Sequence, residues 1–199
     1  MRQLIALSFV LVLLMMSGCA TSPELIRTAG ISARDDVFAE LTDGGPIPQG
    51  YADLRIVSSL KTHMPGIFGR GENAHGAPDY KLLVNIDGQS TEIAGILQVE
   101  NIARGLRDPE AGEGIRYDFR KDVRLKAGTH RIIVALPEDE VAVERELTLK
   151  DGSVNELVLE PVYGFAKPRR LSTGYTQTGF RAGINMLKVL LNGKPLQAD

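Results

Sequence analysis

The pattern of apolar residues from Lys121 to Pro161 predicts a group of β-strands. Apolar runs at 123–125, 132–136, 143–149 and 157–159 are separated by polar, turn-like segments. Short runs bounded in this way are typical of strands, and their succession predicts a β-meander. Several runs are apolar on both faces, which indicates burial between two packed sheets.

Two other apolar segments end in dipeptides that favour tight hairpin turns. Segment 81–88 ends in Asp87-Gly88, and segment 187–193 ends in Asn192-Gly193. Both dipeptides accept the positive φ angles of a type I′ turn, so each predicts a hairpin. The two segments resemble one another, which an internal duplication would explain, although strand-plus-turn segments commonly look alike.

The remaining pattern predicts one β-sandwich domain at 51–165. Alternation around Leu54 to Ser58 predicts its first strand. Two inserts interrupt the domain: 61–78 is rich in Gly and Pro, and 89–116 fits either a strand pair or a short helix. Residues 166–199 are expected to form a C-terminal loop and strand that pack on the sandwich.

The N-terminus has the pattern of an export signal. A basic start is followed by an apolar run from Leu4 to Met16, which is shorter than the about 20 residues of a membrane span. Residues 1–18 are therefore expected to be a signal peptide, and an uncleaved transmembrane helix is the alternative. Cys19 is the only cysteine, so an intramolecular disulfide is excluded.

The sequence Met16-Ser17-Gly18-Cys19 resembles the lipobox of bacterial lipoproteins. The resemblance implies cleavage between Gly18 and Cys19, a thioether-linked diacylglycerol on Cys19, and an acyl chain such as palmitate on its new amino group. Ala20 in the next position implies outer-membrane sorting. We therefore expect a lipid-anchored protein in the cell envelope of a Gram-negative bacterium, at the outer membrane and facing the periplasm.

Residues 19–50 are expected to form a lipidated tether between the anchor and the domain. Within it, Ser32 is a candidate N-cap, and the apolar residues that follow predict a short helix over Ser32–Leu41. The Gly- and Pro-rich segment 43–50 then ends regular structure.

A second resemblance concerns the strand that follows Leu125. Residues 125–134, together with the turns at 86–88 and 147–152, resemble PEGA-type and transthyretin-like β-sandwich modules of bacterial surface proteins. The match covers roughly residues 80–161 and lacks the Pro-Glu-Gly-Ala string itself. The resemblance implies a mainly β fold, an antiparallel sandwich of immunoglobulin-like or transthyretin-like type.

Composition gives little reason to expect binding to nucleic acid. The formal net charge is −2, whereas nucleic-acid binding requires a clustered basic surface. Tryptophan is absent and aromatic residues make up 6% of the chain, which weakens the case for a stacking platform.

The sequence contains three candidate metal-ligating residues but no recognisable catalytic motif. His63, His75 and His130 would have to converge from distant segments to bind a metal. A strand-start His130 that bonds a backbone group is the simpler interpretation. The G-x-G-x-x-A match at 69–74 lacks the strand and helix that dinucleotide binding requires, and we expect no cofactor.

Two acidic clusters are expected to be solvated turn charges. They are Asp108, Glu110 and Glu113 in one loop, and Glu138-Asp139-Glu140 in another. Oxygen-rich loops can bind calcium, but neither spacing fits an EF-hand.

These observations leave function hypotheses from different classes. The first is a non-enzymatic envelope lipoprotein that binds a partner protein or an envelope polymer through an edge strand or the 61–78 loop. The alternative is a hydrolase or metal-dependent periplasmic enzyme whose site is built by the 61–78 and 89–116 inserts, with His63, His75 and nearby acids converging. A further option is carbohydrate recognition by Tyr117, Tyr163 and Tyr175.

Overall fold

The computed structural model describes residues 21–42, 45–64, 75–102, 108–164 and 179–197. These residues form helix α1 (Ser22–Ala29) and a set of β-strands. The strands are β1 (Phe38–Glu40), β2 (Tyr51–Thr62), β3 (Lys81–Ile86), β4 (Gln89–Ala94), β5 (Ile96–Ile102), β6 (Gly112–Lys126), β7 (Gly128–Leu136), β8 (Val141–Leu149), β9 (Val154–Tyr163), β10 (Ile184–Leu191) and β11 (Lys194–Pro195).

The strands form two sheets that pack face to face. Sheet A has the order β1-β6-β2-β9-β10-β11, with β5 also paired to β6, and sheet B has the order β4-β3-β7-β8. All pairs are antiparallel except β2 with β9. The predicted fold class, a mainly β sandwich rich in antiparallel pairs, is confirmed.

The core lies between the sheets and follows the two-residue period of the strands. In β2, the inward residues Leu54, Ile56 and Leu60 are fully buried, whereas Arg55 and Ser59 are exposed. Other core residues from both sheets are Val84, Ile86, Phe119, Val123, Leu125, Ile132, Val134, Leu157 and Leu159.

The prediction of a β-meander is wrong, although its strands are present. β6 belongs to sheet A, β7 and β8 form a hairpin in sheet B, and β9 returns to sheet A beside β2. The chain crosses between sheets at Ala127 and again at 150–153. Turn residues predict where a strand ends, but they do not say whether the next strand pairs with it.

The N-terminal segment forms a third layer instead of a tether. Leu25 and Ala29, four residues apart on one face of α1, are buried against Leu83, Ile133 and Ala135 on the outer face of sheet B. The apolar residues on both faces of β7 are thus explained by sheet A on one side and α1 on the other.

The helix predicted over Ser32–Leu41 is also wrong. The helical segment lies earlier, and the chain reaches β1 within the predicted range. The Gln89 side chain accepts hydrogen bonds from the backbone N–H groups of Val37 and Phe38, and donates to the Phe38 carbonyl. These bonds to a residue about 50 positions away hold the backbone extended, and the local sequence gives no sign of them.

Both predicted hairpin turns are confirmed. Asp87 and Gly88 have φ angles of 47° and 93°, and Asn192 and Gly193 have φ angles of 51° and 76°. These values fall in the left-handed region that type I′ turns require. The two turns connect β3 to β4 and β10 to β11.

The 89–116 insert contains two strands, β4 in sheet B and β5 in sheet A, and the start of β6, so β4 and β5 do not pair with each other as a hairpin. Gly95 connects them, and a Cβ atom there would lie 2.8 Å from Tyr117 Cδ1 and 2.9 Å from Phe119 Cε1. Glycine therefore lets the chain pass close over two core rings as it moves from sheet B to sheet A.

Several sequence predictions lie outside the described residues. These are the signal peptide, the lipobox with Gly18 and Cys19, the G-x-G-x-x-A match and Tyr175. Within the described ranges, no helix has the length and hydrophobicity needed to span a membrane.

Replacing Leu25 with Ala tests the docking of α1. The change leaves a cavity against Ile133 and Leu83, so we expect the free energy of unfolding to fall by about 2 kcal/mol in urea titrations. Exposed Glu24→Ala is the control and should stay within about 0.5 kcal/mol of wild type. Equal, small effects of both changes would show that α1 does not pack on sheet B.

Candidate functional site

Two clusters of polar side chains lie near one end of the sandwich, where β2 ends. The histidine cluster consists of His63, His75, Tyr80 and Asp139, and the lysine cluster consists of Lys61, Glu100, Glu110, Arg116 and Tyr163. β2 contributes to both clusters. Lys61 is its next-to-last residue, and His63 is the first residue after the strand.

The histidine cluster is a continuous chain of hydrogen bonds. His75 Nδ1 lies 3.0 Å from His63 Nε2, and His75 Nε2 lies 3.2 Å from Asp139 Oδ1. The Tyr80 hydroxyl donates to the other oxygen of Asp139. The Asp139 side chain is only 4% exposed, so its charge must be balanced within the protein.

Aromatic packing positions the members of the histidine cluster. The His75 ring meets the rings of His63 and Tyr80 edge to face, at centroid distances of 4.6 and 5.5 Å. Tyr80 in turn packs on Tyr117 in the core, with ring centroids 4.6 Å apart. Burial, reinforced by the Asp139 charge, raises the pKa of Tyr80, which therefore remains a hydrogen-bond donor.

Every ring nitrogen of the histidine pair has a protein partner. The Met64 carbonyl can only accept a hydrogen bond, so His63 Nδ1, which lies 3.0 Å away, is the donor. His63 Nε2 and His75 Nδ1 face each other, so one of them donates and the other accepts. The bond from His75 Nε2 to Asp139 completes the chain.

The lysine cluster surrounds a fully buried ammonium group. Lys61 Nζ lies 3.0 Å from Glu100 Oε2, and it donates to the carbonyls of Glu110 and Gly112 at 2.9 and 2.6 Å. All three ammonium protons therefore have acceptors. The Lys61 side chain is 0% exposed, and its Nζ lies 4.9 Å from the centroid of the Phe180 ring.

Arg116 and Tyr163 complete the lysine cluster. Arg116 Nη2 lies 2.9 Å from Glu100 and 2.6 Å from Glu110, and the Tyr163 hydroxyl donates to Glu110 Oε1 at 2.7 Å. Two cations thus balance two carboxylates. The hydrogen bond from Arg116 lowers the pKa of Glu100, and Lys61 adds to the effect. The stability that this pairing contributes is therefore present at neutral pH and lost as the solution becomes acidic.

A shallow cleft of about 560 Å³ lies beside the lysine cluster on the outer face of sheet A. It is open to solvent, and its walls are Ser59, Asp108, Pro109, Glu110, Arg116, Glu160, Pro161, Val162 and Tyr163. Among its charged groups, Glu110 and Arg116 bond to each other, Glu160 pairs with Lys188, and Asp108 accepts from the Glu110 N–H.

The structure brings two of the three predicted histidines together. His63 and His75 meet, but His130 lies elsewhere, with Nδ1 2.7 Å from Asp87 and Nε2 2.8 Å from the Lys126 carbonyl. The simpler interpretation of His130, a strand-start histidine that bonds a backbone group, agrees with this geometry. Across the described ranges, no group of three or more His, Cys, Asp or Glu residues is arranged to hold a metal ion.

The expectation that the acidic clusters are solvated is wrong for two of their members. Asp139 is buried against His75, and Glu110 bonds Arg116 and Tyr163. Lys61 and Glu100 did not stand out in the sequence at all. Each is an ordinary strand residue by pattern, and only pairing across strands reveals its role.

Tyr117 and Tyr163 do not form a carbohydrate-stacking platform. Both side chains are buried, and their hydroxyl groups donate to the Ala77 carbonyl and to Glu110. Their ring faces are therefore occupied by protein, and the carbohydrate hypothesis is wrong for these two residues.

Replacing Lys61 with Met tests the lysine cluster. The change keeps the buried methylene chain but leaves Glu100 with one cation fewer, so we expect a loss of about 3 kcal/mol in the free energy of unfolding. Lys188→Met is the matched control, because Lys188 pairs with Glu160 on the surface, and it should change stability by less than about 1 kcal/mol. Similar losses in the two variants would contradict the proposed role.

Replacing Tyr80 with Phe tests the histidine cluster. The ring packing is kept and the hydroxyl donor to Asp139 is lost, so we expect a destabilisation of about 2 kcal/mol in urea titrations. Tyr51→Phe, at a half-exposed position at the start of β2, is the control and should be nearly neutral. An unchanged stability of the Tyr80 variant would show that Asp139 does not depend on this hydrogen bond.

Comparisons with known proteins give no family assignment. No protein-family model, no curated protein and no solved structure matches this chain.

Proposed function

We propose that this protein is a non-enzymatic, lipid-anchored module of a Gram-negative cell envelope that binds a partner protein or an envelope polymer. The observation that carries the proposal is the pairing inside both polar clusters. In the lysine cluster two cations bond to two carboxylates, and in the histidine cluster the ring nitrogens bond to each other, to Asp139 and to a backbone carbonyl. This arrangement is suited to holding loops and strands in place, and it favours a rigid binding module over a reactive centre.

The second candidate, a hydrolase or metal-dependent enzyme, is favoured by one specific observation. His63 and His75 converge as that hypothesis requires, and Asp139 joins them. Both nitrogens of each ring, however, already have protein partners at 3.0 to 3.3 Å. A general base needs an available nitrogen, so catalysis would require His63 or His75 to leave its present partner.

The lipid anchor is supported by Met16-Ser17-Gly18-Cys19 after the apolar run. The position of α1 adds a consequence for how the module would sit in the envelope. Only two residues separate Cys19 from Ser22, where α1 begins, so the connection spans at most about 11 Å. Because α1 is docked on sheet B, acylation of Cys19 would hold the sandwich close to the membrane surface.

The acyl chains would supply this attachment without help from a basic surface on α1. The charged residues of α1 are Glu24 and Arg27, which have opposite signs, so their charges cancel. Each buried methylene contributes about 0.8 kcal/mol, so two or three chains suffice for durable anchoring. The proposed site is the outer membrane, with the module facing the periplasm.

Mass spectrometry of the protein from a membrane fraction tests the anchor. We expect the wild type to lack residues 1–18 and to carry acyl mass on Cys19. The Cys19→Ala variant should lack that mass and should not be cleaved by a lipoprotein-specific peptidase. An intact, unmodified N-terminus in the wild type would contradict the proposal and favour the transmembrane alternative.

A further inference from the structure

β5 presents an exposed edge of sheet A. One side of the strand pairs with β6 from Ile96↔Asp118 to Ile102↔Gly112, and among the described residues no strand pairs with its other side. Ile96 and Val99 are 67% and 64% exposed, which is unusual for large apolar side chains in a sheet. Such an edge is a template for adding a strand from another chain.

The edge strands β1, β11, β4 and β8 carry features that normally prevent such pairing. β1 and β11 have only three and two residues, and β11 contains Pro195. β4 carries an ion pair between Glu92 and Lys81, and β8 carries Glu144 paired with Arg131. Short strands, proline and charge all discourage edge pairing. In β5, the one charged residue, Glu100, is turned to Lys61 and Arg116 and is 12% exposed.

The order of residues along β5 is self-complementary. In an antiparallel pair of two β5 strands centred on Val99, Ile96 lies opposite Ile102, Leu97 opposite Asn101, and Gln98 opposite Glu100. Val99 lies opposite its own copy, and no two like charges face each other. Self-complementarity of this kind is what a two-fold symmetric interface requires.

We infer that β5 pairs with β5 of a second copy of this chain, in antiparallel register about Val99, and joins the two A sheets into one. The strand is already fixed in the monomer, because Leu97 packs on the core and Glu100 is held by the lysine cluster. Little ordering is therefore needed when the second copy binds.

The size of the interface sets the expected affinity. A single ribbon of seven residues is small beside the about 1,000 Å² that stable interfaces bury, so the dimer should be reversible and concentration-dependent. The inference does not depend on the lipid anchor, although anchoring both copies to one membrane would raise their effective concentration.

Disulfide trapping tests the register. In the full-length Cys19→Ser chain, purified in detergent, Val99→Cys would supply the only thiol. Residues directly opposite in an antiparallel pair have Cα atoms about 4.5 to 5.5 Å apart, which is within disulfide range. We expect mild oxidation to link Val99→Cys into dimers at least tenfold faster than Val154→Cys, a control at a 72% exposed valine outside β5.

Sedimentation of the same Cys19→Ser chain tests the contact without cross-linking. We expect a concentration-dependent dimer, whose dissociation constant rises at least tenfold in Val99→Lys and is unchanged in Val154→Lys. Both variants should unfold at the same midpoint as the parent chain, which controls for folding. A chain that stays monomeric at all concentrations, or equal trapping at positions 99 and 154, would overturn the inference. Because Cys19 is absent, neither result depends on whether the natural protein is lipidated.

Discussion

The pairing of β2 with β6 is the interaction on which the rest of the structure depends. The two strands stay in register over twelve residue pairs, from Tyr51↔Lys126 to Thr62↔Ile115. β9 adds to the other side of β2, while β1 and β5 both pair with β6. Since inward side chains of β2 and β6 also form much of the core, sheet A is built around this one ladder.

The end of the same ladder carries the buried charges. Lys61 is removed from water there, and removing an ammonium group is costly unless anionic and carbonyl partners surround it. Glu100 on β5 and the carbonyls of Glu110 and Gly112 provide them. The requirement to satisfy one cation thereby holds β5 and the segment around Glu110 against the sheet. Gly114 is needed nearby, because a Cβ atom there would lie 2.7 Å from the Thr62 carbonyl.

The third layer has a consequence for how the module would act in an envelope. Leu25 and Ala29 dock α1 on sheet B, and Asn85 Nδ2 secures the end of the helix by donating to the Thr28 and Ile31 carbonyls. β5 belongs to sheet A, the other sheet of the sandwich, and is not covered by α1. The proposed membrane attachment through α1 and the proposed pairing edge at β5 therefore use different sheets of the sandwich.

Local features of this fold could be predicted from the sequence, because their causes are local. The two-residue period identified strands, and Asp87-Gly88 and Asn192-Gly193 identified hairpins, since φ preferences belong to the residues themselves. Gly95 left the 89–116 insert ambiguous, because its role is set by the two rings beneath it. The sandwich class followed from the alternation and apolar runs.

The tertiary structure alone decided which strands are neighbours and which charges are buried. His75 and Asp139 are 64 positions apart, and Lys61 and Glu110 are 49 apart. No periodicity or turn preference spans such distances. The sequence therefore predicted a single meander, whereas its strands lie in two sheets, and it predicted a solvated Asp139, whereas that side chain is buried. The sequence by itself determined the strands, the hairpin turns and the export-signal pattern at the N-terminus. Packing decided the position of α1, the meeting of His63 with His75 and the exposed edge of β5, because each depends on partners that only folding brings together.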